Sequence, residues 1–171
     1  MGMLHRRFYH DADSNTLRML YTISVRPLLE YAVPVWDPHL VKDIEAIESV
    51  QRFATKVCTK AWRGVDNKDW LSMLNLITLE ARRTNLKHCF LYKVLNGMDF
   101  FPNSSIIPRP NTSNDTRSHT LTLQVPFART VSFYNSFCCQ APRLWNELPF
   151  EVLSSPSIAS FKRACYNYVS H

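Results

Sequence analysis

Apolar side chains recur at intervals of three and four residues from Leu17 to Ala32, which places them on one face of an α-helix. Two prolines interrupt this face. Because proline lacks an amide proton and its ring crowds the carbonyl four residues back, we expect the helix to bend near Pro27 and to end before Pro34. Trp36 then lies in a short, stiff turn between Pro34 and Pro38.

A second apolar series runs at helical spacing from Leu40 to Cys58. Together the two series predict a helical hairpin, in which the two helices are joined by this proline-containing turn. A short helix around Trp70 and a longer helix that begins near Thr78 should follow. Gly97 supplies the left-handed residue that commonly terminates such a helix.

The pattern changes after residue 98. Residues 99–117 are rich in proline, serine and asparagine, which indicates a linker or a long surface loop. Residues 119–125 alternate between apolar and polar, as a half-buried strand does, and 129–133 are the expected returning arm of a small β-hairpin. Helical spacing returns over 133–145, and Ser155-Pro156 begins a last helix.

These patterns predict a mainly α fold: a helical hairpin plus further helices, with a small β-hairpin in the C-terminal third. The expected organisation is a helical region over 1–98, a polar linker over 99–117, and the β-hairpin with two helices over 118–171. A chain of 171 residues with 46% hydrophobic content is long and apolar enough to bury a core.

Composition excludes several function classes. With only three glycines, the chain builds neither a phosphate-binding glycine loop nor a dinucleotide-binding turn, so we expect no nucleotide cofactor. There is no apolar run of about 18 residues and no apolar core of a signal peptide, so we expect an intracellular protein without a membrane partner, nuclear or cytoplasmic.

Candidate catalytic groups are sparse. No two aspartates are adjacent, and Asp11 and Asp13 are better interpreted as helix-capping residues than as metal ligands. The five cysteines include no Cys-x-x-Cys, so we expect buried thiols and no metal site. His88 and Cys89 are neighbours on a helix and point about 100° apart. We therefore predict no catalytic residue, no cofactor and no small-molecule substrate.

The formal net charge of +6 permits contact with nucleic acid, although the charge is spread along the chain. Two basic groups stand out. One recurs every fourth residue on the second helix, and the other lies on the fourth; either could contact phosphates. Basic side chains near a helix C-terminus are also favoured by its dipole and cover apolar surface, so this interpretation stays open. The candidate residues are Arg52, Lys56, Lys60, Arg63, Arg82, Arg83 and Lys87.

Several blocks of the chain carry a family resemblance. The first reads Arg-Pro-Leu-Leu-Glu-Tyr-Ala over 26–32 and is followed by Val35-Trp36. Later blocks occur in matching order, among them Leu74-Asn75-Leu76, Arg82-Arg83, Asn96-Gly97, Arg117-Ser118-His119, Trp145-Asn146 and Leu148-Pro149. Together they resemble the region after the polymerase core in reverse transcriptases of non-LTR retrotransposons, the jockey-type LINE elements.

The resemblance implies a C-terminal, thumb or post-thumb region of an RNA-directed DNA polymerase, without its catalytic aspartates or its endonuclease. We therefore expect no enzymatic activity. The expected partners are the RNA or DNA backbone and a missing polymerase palm domain. The residues expected to have structural roles are Pro27, Tyr31, Trp36, Gly97 and Trp145.

Two other functional interpretations remain. The chain could be a helical scaffold for protein interaction, in which the apolar stripe and Trp36 pack on a partner. It could also be a truncated transposon relic without a selected function.

Overall fold

The computed structural model describes residues 12–60, 67–100, 107–108 and 121–169. The chain divides into two compact units, Met1–Arg83 and Thr84–His171. Helices dominate both, so the prediction of a mainly α fold is confirmed.

The N-terminal unit begins with α1 (Ser14–Leu20), which continues into a π-helical turn (Tyr21–Val25) and then α2 (Arg26–Glu30). The amide of Arg26 donates to the Tyr21 carbonyl, five residues back, because Pro27 has no amide to continue the ordinary ladder. The bend expected near Pro27 is therefore a widened turn just before it.

The chain then reverses through Ala32, whose φ of 53° is left-handed. Pro34 lies in the first turn of the short helix α3 (Val33–Trp36), a position where proline is tolerated because that amide needs no helical partner. Helix α4 (Val41–Thr59) follows, then α5 (Asn67–Met73) and α6 (Leu79–Leu95). We call residues 26–41 the elbow.

The core of the N-terminal unit lies between α1, the π-helical turn, α4 and α5. Tyr21 is completely buried, and its hydroxyl donates to the Gln51 side chain at 2.8 Å. Gln51 in turn donates to the Ile77 carbonyl at 2.9 Å, so its amide is satisfied inside the core. The apolar residues around them are Leu17, Ala54, Val57, Cys58, Leu71, Leu74 and Leu76.

The C-terminal unit packs the later part of α6 against α8 (Phe137–Glu147), α9 (Phe150–Leu153) and α10 (Ile158–Val169). Three aromatic rings form its centre. Phe161 is fully buried, with its ring centroid 4.4 Å from that of Tyr92 and 5.7 Å from that of Trp145. Gly97, at φ 66°, follows the end of α6.

The compact units and the sequence pattern divide the chain at different positions. The units divide between residues 83 and 84, whereas the predicted helical region extends to residue 98. The reason is that Leu91, Tyr92 and Val94 of α6 belong to the C-terminal core. Most of the expected linker, 99–117, lies outside the described residues.

The predicted β-hairpin is wrong in its second arm. Residues 131–134 form the short helix α7 (Val131–Tyr134), because the Thr130 hydroxyl caps it by accepting from the Phe133 amide at 3.2 Å. The strand pattern of 119–125 yields only β2 (Leu123–Gln124), which pairs antiparallel with β1 (Ile107–Pro108).

Trp145 and Asn146 hold β2 in place. The Trp145 indole donates to the Leu121 carbonyl at 2.9 Å. The Asn146 amide accepts from the Leu123 amide at 2.9 Å and donates to the Leu123 carbonyl at 2.8 Å. A single side chain thus replaces the backbone of a neighbouring strand.

His88 is buried in the C-terminal unit, on α6. Burial lowers its pKa to about 4 because it disfavours the charged imidazolium, and the charge of Lys87 adds to the effect. The Leu144 backbone opposes the shift.

We expect acid to destabilise this unit through His88. Between pH 6.5 and pH 4 the unfolded chain binds a proton that the folded chain does not, so stability falls as the pH falls, by up to roughly 3 kcal/mol. Urea unfolding at pH 7, 5.5 and 4.5 should show a smaller acid loss for His88→Leu than for the wild type. The exposed His39, changed to Gln, is the control. Equal acid losses in His88→Leu and the wild type would contradict this role.

Candidate functional site

Several apolar side chains of the elbow are exposed to solvent, whereas Val33 is fully buried. Leu28 is 76% exposed, Tyr31 80% and Val35 86%. Ile23 just before the elbow and Val41 at its end are also exposed. Scattered exposed apolar residues are ordinary, but a concentration along consecutive short helices marks an interaction surface.

The charged side chains of the elbow turn inward instead. Glu30 pairs with the Arg82 guanidinium, where Nη2 lies 2.9 Å from Oε2, and with Arg26 at 3.7 Å. Asp37 accepts from Nε of Arg83 at 2.7 Å. Two arginine–carboxylate pairs therefore join both ends of the elbow to the beginning of α6. We call this group the clamp.

Burial makes the clamp sensitive to loss of a partner. Arg83 is only 1% exposed, and within the part of the chain that the structure describes its Nη1 has no hydrogen-bond partner. Burial lowers the pKa of Arg26, and the nearby charge of Arg82 lowers it further. Removing one carboxylate would leave a guanidinium poorly compensated in a dry environment.

The start of α6 has another carboxylate contact. Oε1 of Glu48 accepts from the Glu80 amide at 2.7 Å, and Thr78 accepts from the Ala81 amide at 3.1 Å. Both satisfy amide groups that the first turn of a helix leaves without partners. Sequence spacing does not reveal this capping role, because Glu48 and Glu80 are 32 positions apart in the chain.

The second predicted basic group is engaged inside the protein. Arg82 and Arg83 belong to the clamp, and Lys87, also buried, donates to the Gln140 side chain at 3.0 Å in the C-terminal unit. The charges of these three side chains therefore have internal partners in this structure, and their contact with phosphates stays a prediction.

The first basic group lies on α4. Arg52 is half-buried, with its guanidinium 3.4 Å from the Glu45 carbonyl. Nζ of Lys56 lies 5.4 Å from the centroid of the buried Trp70 ring. Among the described residues, neither forms an ion pair with a carboxylate. We call Arg52, Lys56 and the exposed Lys60 the ridge.

The remaining predicted site residues are dispersed. Arg63 lies outside the described residues. The Tyr31 ring is exposed, so its contribution to the elbow is its carbonyl, which accepts from the Trp36 indole. Trp36 itself is partly exposed.

The chemistry available in the described part of the chain is limited. It contains no group of three or more His, Cys, Asp or Glu side chains placed to hold a metal ion. The five cysteines are unpaired, and burial raises the pKa of Cys58 to about 11 and that of Cys165 to about 12, which makes both weak nucleophiles. None of the described helices is long and apolar enough to span a membrane.

A cavity of about 400 Å³ lies in the C-terminal unit beside β2. Its wall is mainly apolar, with Tyr92, Leu123 and Trp145 among the lining residues. Among the described residues that line it there is no carboxylate, histidine, cysteine or basic side chain.

We expect Asp37→Asn to lower the free energy of unfolding by about 3 kcal/mol, because it removes the carboxylate partner of a buried arginine. Asp43→Asn, at an exposed position in the first turn of α4, is the control and should cost about 0.5 kcal/mol. Urea unfolding measures both. Restored stability in an Asp37→Leu/Arg83→Leu double variant would support the pairing, whereas equal effects of the two Asn variants would refute it.

Comparison of the chain with protein-family models, with curated proteins and with solved structures found no match. The fold and the surfaces described above are therefore the observations on which a function has to be built.

Proposed function

We propose that the chain is a non-catalytic C-terminal region of a non-LTR retrotransposon reverse transcriptase, and that its N-terminal unit is a helical scaffold that docks its elbow on the polymerase domain. The sequence resemblance supports the first part of the proposal. The outward apolar face of the elbow carries the second part. In this role the chain supplies a binding surface and transfers no nucleotides.

The polarity of the elbow favours a protein partner. Its outward side chains are largely aliphatic, and aliphatic groups gain free energy from burial against another apolar surface. Tyr31 is an exposed ring among them, but the aliphatic side chains of Leu28 and Val35 offer no ring on which a base could stack.

The clamp holds the elbow in one conformation before a partner binds. Glu30 and Asp37 fix both ends of the segment, so the exposed side chains are held in place before a partner arrives. A surface that is ordered in advance loses less conformational entropy on binding. The elbow therefore has the two properties of a docking site, apolar area and a fixed backbone.

We expect Leu28→Ser and Val35→Ser each to weaken binding to a recombinant polymerase domain of a jockey-type element by about 10- to 100-fold, since burying such a side chain supplies about 1.5–3 kcal/mol. Isothermal titration calorimetry measures the change. Met73→Ser is the matched control, because Met73 is equally apolar and exposed but lies on α5. No binding by the wild type, or equal weakening by Met73→Ser, would refute elbow docking.

A second candidate function is contact with the nucleic-acid backbone through the ridge. The supporting observation is that Arg52 and Lys56 remain without carboxylate partners among the described residues, whereas the other basic group is engaged internally. Cations on a helix can neutralise phosphates and release counterions.

For ridge binding we expect the logarithm of the affinity for RNA or DNA to fall with the logarithm of salt concentration, with a slope of about −2 to −3 for two or three phosphate contacts. An Arg52→Gln/Lys56→Gln variant should make the slope shallower by about 1 per residue. Lys162→Gln/Arg163→Gln removes the same charge from exposed positions on α10 and is the control. Affinity that does not change with salt would exclude this function.

A further inference from the structure

A second exposed surface lies in the C-terminal unit, and its chemistry differs from that of the elbow. It is built on residues 126–134, which we call the aromatic loop. Phe127 is 85% exposed and Tyr134 is 52% exposed, and Phe133 between them is also exposed. The exposed side chains named here are aromatic, whereas those of the elbow are mostly aliphatic.

One turn of α8 holds both ends of the aromatic loop. The Pro126 carbonyl lies 3.8 Å from the Cys139 sulfur, and the Tyr134 carbonyl accepts from Nη2 of Arg143 at 2.6 Å. Residues four apart on a helix are neighbours on the same face, roughly 6 Å apart. Both ends of the loop are therefore close together, and Phe127 and Tyr134 belong to a single surface.

An arginine side chain stacks on one of these rings. The Arg143 guanidinium lies 3.8 Å from the centroid of the Tyr134 ring, and its Nε donates to the Cys139 carbonyl at 3.0 Å. The stacked cation covers one face of the ring. Arg129 is exposed within the loop itself.

The aspartate, glutamate, lysine and arginine residues of the chain segment that contains the aromatic loop have one sign of charge. The sequence contains no aspartate or glutamate between Asp115 and Glu147, while Arg129 and Arg143 both lie in that interval. A surface with exposed rings, arginines and no carboxylate from its own segment complements a flexible anionic chain that carries flat, apolar groups. Single-stranded nucleic acid has this combination of properties.

We propose that the aromatic loop binds unpaired nucleotides of single-stranded RNA or DNA, with bases stacked on Phe127 and Tyr134 and a phosphate beside Arg129. Double-stranded nucleic acid should bind weakly, because its bases are already stacked on one another. The proposal depends on neither elbow docking nor the ridge, since its residues all lie in the other compact unit.

The test is fluorescence anisotropy of the full chain with labelled 12-nucleotide oligo(U) and oligo(dT), and with a duplex of equal length. Both single strands should bind more tightly than the duplex. Phe127→Ala and Tyr134→Ala should each weaken single-strand binding about 10-fold, and Tyr134→Phe should retain it, since one stacked base contributes about 1–3 kcal/mol. Tighter binding of oligo(U) than of oligo(dT) would add a contact with the 2′-hydroxyl to the same site.

The matched control is Phe150→Ala, which removes a half-exposed phenylalanine from α9 of the same unit and should leave binding unchanged. Thermal unfolding of each variant shows that the fold is kept. Three outcomes would overturn the proposal: equal or tighter binding of the duplex, normal binding by both alanine variants, or an equal loss with Phe150→Ala. Loss of self-association in the alanine variants without loss of oligonucleotide binding would instead identify a protein contact.

Discussion

The N-terminal unit depends on the pairing of two elbow carboxylates with two adjacent arginines on α6. Glu30 and Asp37 stand at opposite ends of a segment that includes a left-handed residue, Ala32, and a proline, Pro34. Such a segment has little regular hydrogen bonding of its own, so ion pairs that are shielded from solvent fix its path. The inward direction of these charges decides which side chains face outward.

The inward direction of these carboxylates explains why the elbow has apolar side chains on its outer face. In an ordinary surface helix the apolar face packs inward and the charges are solvated. In the elbow the carboxylates of Glu30 and Asp37 are used internally, and Leu28, Tyr31 and Val35 take the outer positions. The buried core of this unit is provided by other elements, chiefly the π-helical turn with Tyr21 and the matching face of α4. Within the elbow, Val33 is fully buried, while Leu28, Tyr31 and Val35 form its exposed surface.

The sequence predicts the helices well because proline and helical spacing act locally. The break before Pro34 and the series from Leu40 to Cys58 depend only on residues a few positions apart. The clamp could not be predicted, because Arg82 and Arg83 find their partners 52 and 46 positions earlier in the chain. Periodicity shows that adjacent arginines lie on a helix, but it does not show which carboxylates meet them. The basic ridge on α4 is local and was predictable, whereas the engagement of the other basic group was not.

Partners that are distant in sequence also explain why the β-hairpin was predicted incorrectly. Alternation over 119–125 does mark an extended segment, but its partners are Ile107–Pro108 and the side chain of Asn146, neither adjacent in sequence. The Thr130 cap that makes 131–134 helical is a local signal, and greater weight on it would have found α7. The position of the unit boundary also depends on long-range packing, since it follows from where Leu91, Tyr92 and Val94 are buried.

Asn146 has a consequence for solubility. Short strands with unpaired backbone groups are templates on which other chains add, and this leads to aggregation. The amide of Asn146 saturates the Leu123 backbone on one side of β2, and β1 lies on the other. With its edge closed by one side chain, the strand can lie near exposed aromatic residues without recruiting further strands into a growing sheet.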